Sequence, residues 1–190
     1  MSKTGASPEL QVLQNSVAMT VTLISFGMLF ATLFLGYFLV RSSVPMWPPV
    51  EIQGMPQFLP FLSTVFMILS SCTYYWMEKK AFEKPALGKV LWITTVALGF
   101  SFLGSQWFLW AALKATGILV ANGMVPSMVY AFTWLHAGHI VLGLIGLFYV
   151  GHYVFTKRES LTKIKLMNVG KFWHFLGVVW LIMYLLIFVI

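Results

Sequence analysis

The sequence predicts an all-α integral membrane protein, a five-transmembrane-helix bundle, and three observations carry that prediction. Hydrophobic residues make up 59% of the 190 residues, charged residues only 9%, and the mean hydropathy is +0.86, whereas a soluble domain holds roughly 25% charged residues. Five apolar stretches are long enough to cross a hydrocarbon core about 30 Å thick, which takes about 20 residues as helix and pairs every backbone polar group within the segment. The alternation over about 10 residues that marks a membrane β-strand is absent. The net charge of +7 sits at the ends of apolar runs and forms no basic face, which excludes a nucleic-acid partner. One cysteine, Cys72, cannot make a disulfide framework within the chain.

The first span runs from about Val17 to Val40. Its polar leader, Met1 to Ser16, carries one lysine, and no Ala-x-Ala site follows the apolar run. The run also exceeds the 7–15 residues of a signal core, roughly speaking, so the leader is expected to be retained. The connection from Ser42 to Gln57 holds Pro45, Trp47-Pro48-Pro49 and Pro56; proline favours an extended, stiff segment there, and Trp47 suits the membrane interface. The second span, about Phe58 to Met77, offers Ser63, Thr64, Ser70, Ser71 and Thr73 for hydrogen bonds between helices. The third, about Leu87 to Leu113, carries Gln106 and a small-residue series, Ala97, Ser101 and Ser105, expected to favour close packing. The fourth, about Val125 to Phe155, starts at Pro126, where a missing N–H is tolerated. The fifth runs from about Phe172 to Ile190. Loops are short and no tandem repeat of spans is evident, so residues 1–190 read as one transmembrane domain.

Lysine and arginine set the orientation. The N-terminal tail, the Glu78–Lys89 loop and the Lys157–Lys171 loop together hold Lys3, Lys79, Lys80, Lys84, Lys89, Lys157, Arg158, Lys163, Lys165 and Lys171, against Arg41 and Lys114 on the other side. That asymmetry predicts an N-in/C-out chain.

Polar residues at lipid depth are the candidates for chemistry. His136 and His139 share a face of the fourth helix, continued by Gly143 and Gly146; His152 lies further along, and His174 early in the fifth span, about level with His152. The histidines fit a haem or metal site, or imidazoles hydrogen-bonded to neighbouring helices with glycines permitting close approach. Ligand count favours the second. A di-iron bundle wants several inward carboxylates, yet no carboxylate lies well inside any span. Zinc or copper wants three or four ligands, and Cys72 is isolated. A proton pump or transporter would want Asp, Glu or His across the membrane.

The order of motifs resembles subunit III of the haem–copper respiratory oxidases, in the short five-helix bacterial form. The fourth span reads Thr133-Trp134-Leu135-His136-Ala137-Gly138-His139-Ile140-Val141-Leu142-Gly143-Leu144, similar to the family's T-G-F-H-G-L-H-V-x-x-G-L. The fifth opens Phe172-Trp173-His174-Phe175-Leu176-Gly177-Val178-Val179-Trp180-Leu181, against Y-W-H-F-V-D-V-V-W-L. Gly36-Tyr37-Phe38-Leu39-Val40-Arg41 is similar to A-Y-L-V-L-R, a W-P-P follows in both, Leu69-Ser70-Ser71-Cys72-Thr73 matches L-S-S-x-T, and Gln106 takes the glutamine of Q-x-x-E-Y. Three family acids are replaced, by Phe26, Leu109 and Gly177, so no proton-handling role tied to them carries over.

The resemblance implies a non-catalytic subunit of a cytochrome c or quinol oxidase in a bacterial plasma membrane, with subunit I as main partner, subunit II nearby and structural phospholipid bound. It implies no cofactor on this chain; haems and copper belong to partner subunits. His136, His139, His174, Trp173, Gln106, Arg41 and Trp47 become candidates for interhelical, lipid or subunit contacts. Three alternatives stand beside this reading: a subunit accompanying a nitric oxide reductase, a self-standing haem protein using His152 and His174, and a small-solute transporter.

Overall fold

The computed structural model describes residues 8–46, 49, 52, 54–156 and 159–189. Five helices follow one another: α1 (Pro8–Ser43), α2 (Phe58–Lys80), α3 (Pro85–Ala115), α4 (Met124–Thr156) and α5 (Glu159–Tyr184). The last runs on through a wider π-turn, Leu185–Val189, and a 3-10 turn, Val120–Asn122, precedes α4. No strand occurs among the described residues. All five helices are long and apolar enough to cross a membrane, over Leu13–Ser43, Phe58–Lys80, Pro85–Ala115, Met124–His152 and Lys163–Val189.

Helix ends follow from local chemistry. Pro85 opens α3, where its fixed φ suits the first turn. Gly117, at φ +79°, closes α3: its N–H donates to the Lys114 carbonyl and the Ile118 N–H to that of Leu113. This pair of bonds needs a left-handed residue after the cap, and Ile118 is buried against the bundle. Between α2 and α3, Lys80 Nζ lies 2.8 Å from Glu83 Oε2, and the ammonium holds that exposed carboxyl below its usual range.

One boundary differs from the sequence expectation. The segment expected as a loop up to Lys171 is helical from Glu159, so α5 begins well before Phe172. Its lysines lower the hydropathy without breaking the helix. Leu166 and Gly170 face the bundle while Lys163 and Lys171 are exposed, and Tyr74 Oη on α2 donates to the Leu166 carbonyl at 2.7 Å.

Helices α2 to α5 close a four-membered ring: α2 packs most extensively on α3, α3 on α4, α4 on α5, and α5 returns to α2. Helix α1 leans on α4 and α5 from outside; 11% of its most apolar window is buried, against 50% for α4. Lipid is as apolar as leucine, so contact quality rather than water exclusion holds such a bundle together. Trp173 and Trp180 on α5 are its largest fully buried side chains. Trp173 fits because Gly99 and Gly143 leave it room: a methyl on either would come within 3.0 Å of its ring. Trp92 likewise lies against bare Gly151 and donates Nε1–H to the Leu147 carbonyl at 2.9 Å.

Candidate functional site

His136 and His139 of α4 lie at the centre of the bundle. His136 is fully buried, with the rings of Phe30, Phe102 and Trp180 around it at centroid distances of 6.1, 5.7 and 5.4 Å. Neither of its ring nitrogens has a hydrogen-bond partner in the protein. His139 pairs Nδ1 with the Leu135 carbonyl of its own helix at 2.7 Å; a carbonyl only accepts, so Nδ1 carries the proton. Phe26 meets His139 edge-on at 4.5 Å and Phe30 lies at 5.3 Å. The expected bonds from these imidazoles to neighbouring helices are therefore replaced by aromatic contacts from α1, α3 and α5. The glycines behave as the sequence suggests, with Gly143 against Trp173 and Leu176 and Gly146 against Val169.

The hydroxyls of α2 bridge the helices. Ser63 Oγ lies 2.7 Å from Ser105 Oγ and accepts Gln106 Nε2–H at 2.9 Å. Ser70 donates to the Thr95 carbonyl and accepts Trp173 Nε1–H; Thr64 accepts Trp180 Nε1–H; Thr73 meets Thr95. This seam ties α2 to α3 and α5 along most of its length, from Ser63 near the Phe58 end to Thr73 towards Glu78. It also corrects the small-residue series on α3. Ser105 is buried in the seam, while Ala97 and Ser101 face outward. Eight residues at about 100° each rotate a helix by roughly 80° beyond two full turns, a drift that carries Ser105 under α2 while Ala97 and Ser101 stay on the exposed side.

His174 faces α2, where Ser71 Oγ hydrogen-bonds its Nδ1 and Tyr74 packs edge-on. It lines a recess of about 230 Å³ between α2 and α5 with Met67, Cys72 and Gly177. The sequence places it level with His152; the structure does not. Gly143 packs on Trp173 and Leu176, so His152 lies nine residues beyond His174's level on α4, about 14 Å at 1.5 Å per residue. The early start of α5 causes the shift. These two residues do not form one ligand pair. Among the described residues no group of three or more His, Cys, Asp or Glu is placed to hold a metal.

Arg41 ends α1 beside Tyr37 and hydrogen-bonds its hydroxyl; that hydroxyl donates to the Leu186 carbonyl in the π-turn at 2.6 Å. The pair pins the far ends of α1 and α5 together. Trp47 lies outside the described residues. The positions that lack the family acids are filled or open: Phe26 covers His139, Leu109 is fully buried, and Gly177 borders Met67. Sequence reasoning missed Tyr37, Tyr74 and Trp180. Each buries a polar tip that must find a partner in lipid, which is the signal that would have found them.

No Asp, Glu, Lys or Arg lies between Glu9 and Arg41, Glu51 and Glu78, Lys89 and Lys114, Lys114 and Lys157, or beyond Lys171; the histidines are the basic side chains within those stretches. The arrangement is an aromatic interior with hydroxyl bridges, built to pack. Comparison with known proteins gives it a family. The family model described as "Cytochrome c oxidase subunit III" matches residues 10–190. The chain is 28% identical over 192 residues to cytochrome c oxidase subunit 3 of Thermostichus vulcanus, covering 96% of this chain and 89% of that protein. It is 26% identical over 176 residues to the Synechocystis sp. protein of the same name, covering 88% and 72%. A probable cytochrome c oxidase subunit 3 of Mycobacterium leprae is 28% identical over 178 residues, covering 92% and 87%. With five helices able to span a membrane and a family match along nearly its whole length, this chain belongs to the cytochrome c oxidase subunit III family.

Proposed function

We propose that this chain acts as a non-catalytic subunit of a bacterial haem–copper terminal oxidase, seated in the plasma membrane beside subunit I, near subunit II, and holding phospholipid. Membership of the family implies a complex with other oxidase subunits. The observation that carries the reading is the filling of the bundle centre. Around His136 and His139, where a relay would need ionisable groups in sequence, the neighbours are phenylalanine and tryptophan rings. Haem and copper are assigned to the partner chains, since the histidines here are spaced for packing. The ten-to-two split of basic residues supports an N-in/C-out orientation.

The test is to strip this chain from the purified oxidase. Initial oxygen consumption and the haem spectrum are expected to stay unchanged, while activity decays faster during sustained turnover. Loss of haem absorbance or of the first turnovers on removal overturns the proposal. A reduced-minus-oxidised spectrum of the chain alone is expected to show no haem band. A reporter fused after Ile190 is expected on the outer side.

A further inference from the structure

The recess of about 230 Å³ between α2 and α5 is walled by Met67 and Ser71 on one side and by His174 and Gly177 on the other. It lies deep in the membrane. Helix α2 runs from Phe58 to Lys80, and the chain leaves the helix at Gln57 and Ala81. Met67 and Cys72 are nine and eight residues from those two ends, so the recess sits about 12 Å or more from either, at 1.5 Å per residue. Ile68, Val178 and Leu181 at its mouth are exposed, so it opens sideways into hydrocarbon. Two features mark it as a site. The first is a donor with nothing to meet. Ser63, Thr64 and Thr73 bond carbonyls of α2, but Ser71 pairs only with His174 Nδ1 among the described residues. The hydroxyl hydrogen therefore goes to Nδ1, and the imidazole keeps its proton on Nε2. That N–H has no partner among the described residues, and lipid offers none. The second is the bare backbone of Gly177. A methyl there would meet only Met67, at 3.7 and 3.9 Å, whereas the space over Gly143 is filled by Trp173.

An occupant has to reach mid-bilayer, present an acceptor oxygen there and fit a small apolar space. We propose that the recess binds the head ring of a membrane quinone. One ring carbonyl accepts His174 Nε2–H, the ring lies over Gly177 and against the Met67 thioether, and the isoprenoid tail leaves through the mouth into the bilayer. Sulfur–ring contacts of this kind are favourable. A phospholipid does not meet the requirement, because in a core about 30 Å thick its oxygens stay at the two faces. An acyl tail or molecular oxygen reaches the depth but brings no carbonyl for the imidazole. The volume falls below the roughly 300–1,000 Å³ of drug-sized sites, which suits a single ring and leaves no room for a macrocycle. The inference goes beyond the subunit reading above and concerns binding alone; no electron transfer is assigned to this chain.

The test is photolabelling. The assembled oxidase, in phosphatidylcholine nanodiscs, is illuminated with an aryl-azide derivative of decylubiquinone, and the labelled peptides of this chain are mapped by mass spectrometry. Label is expected on the segments 67–72 and 174–181. Excess decylubiquinone is expected to suppress it, whereas decylbenzene, which has a ring and tail but no carbonyl, is not. His174→Phe is expected to raise the decylubiquinone concentration for half-suppression about fivefold, equivalent to about 1 kcal/mol for the lost hydrogen bond. Gly177→Ala, which the protein itself accommodates, is expected to cut the labelling severalfold by filling the space over the ring. Gly138→Ala, at an exposed glycine with nothing within 4 Å, serves as control and is expected to label as wild type does; subunit content confirms assembly of all three variants. Wild type without label on the two segments overturns the proposal. Equal suppression by decylbenzene, or wild-type half-suppression in His174→Phe, reduces the recess to an apolar gap and overturns it too. Label confined to another subunit's helix lying over the mouth assigns the recess to a subunit contact, with the same result.

Discussion

Glycines on one helix face opposite fates. A methyl at Gly143 would lie 2.9 Å from two ring atoms of Trp173, whereas at Gly138 nothing lies within 4 Å. Gly143→Ala is expected to cost about 1–3 kcal/mol through overpacking, and Gly138→Ala to be neutral or stabilising by up to about 1 kcal/mol, since alanine is the better helix former. Unfolding in mixed detergent, followed by tryptophan fluorescence, separates the two. His136 gives a sharper contrast. Its nitrogens are buried without partners, and a buried unsatisfied polar group costs about 1–3 kcal/mol. His136→Phe is therefore expected to preserve or raise stability and to leave the haem content of the complex unchanged. A fall in either would mean that the imidazole has a partner in the assembled oxidase. The sequence showed that this residue is deep; it could not show that its neighbours are rings, because Phe30, Phe102 and Trp180 come from three other helices.

Helix α2 holds its neighbours through side-chain hydroxyls. Ser63→Ala removes a group that meets both Ser105 and Gln106 and is expected to cost about 0.6 to 1.7 kcal/mol, the range for bonds between membrane helices. Adding Ser105→Ala should cost less than the sum, because the two share one bond; a double-mutant cycle in detergent measures the difference, and strict additivity would refute the coupling. These hydroxyls were legible in the sequence as candidates because lipid leaves polar groups few partners. Helix ends were legible where hydropathy changes abruptly, as at Phe58 and Ala115. The start of α5 was not, since Lys163, Lys165 and Lys171 interrupt the apolar run while the backbone stays helical from Glu159. That one shift also moved His174 away from His152. Ala97 and Ser101 failed as packing residues for a related reason: spacing of four drifts around a helix, and only the position of α2 decides which side is inside.

As a whole, the molecule is a closed ring of four helices with a fifth against its flank. The family was legible because two histidine motifs and several weaker ones occur in order along the chain; the packing that gives those motifs meaning was not, since it joins residues more than a hundred positions apart, such as Ser71 and His174. Helix α1 supplies Phe26 and Phe30 to the centre, so Phe26→Ala is expected to loosen α1 selectively, raising amide exchange there while α2 and α3 remain protected. Uniform loss of protection would contradict the flanking arrangement. The same arrangement has a consequence for biosynthesis. Helix α1 is synthesised before α4 and α5, the helices it chiefly docks on. About 80 residues separate Ser43 from Met124, which at 5–20 residues per second takes roughly 4 to 16 seconds. Through that interval the segment must wait as a solitary rod in the bilayer. Thr20, Thr22, Ser25 and Thr32 each hydrogen-bond a carbonyl of their own helix, leaving the nascent chain with few loose polar ends to seek a wrong companion.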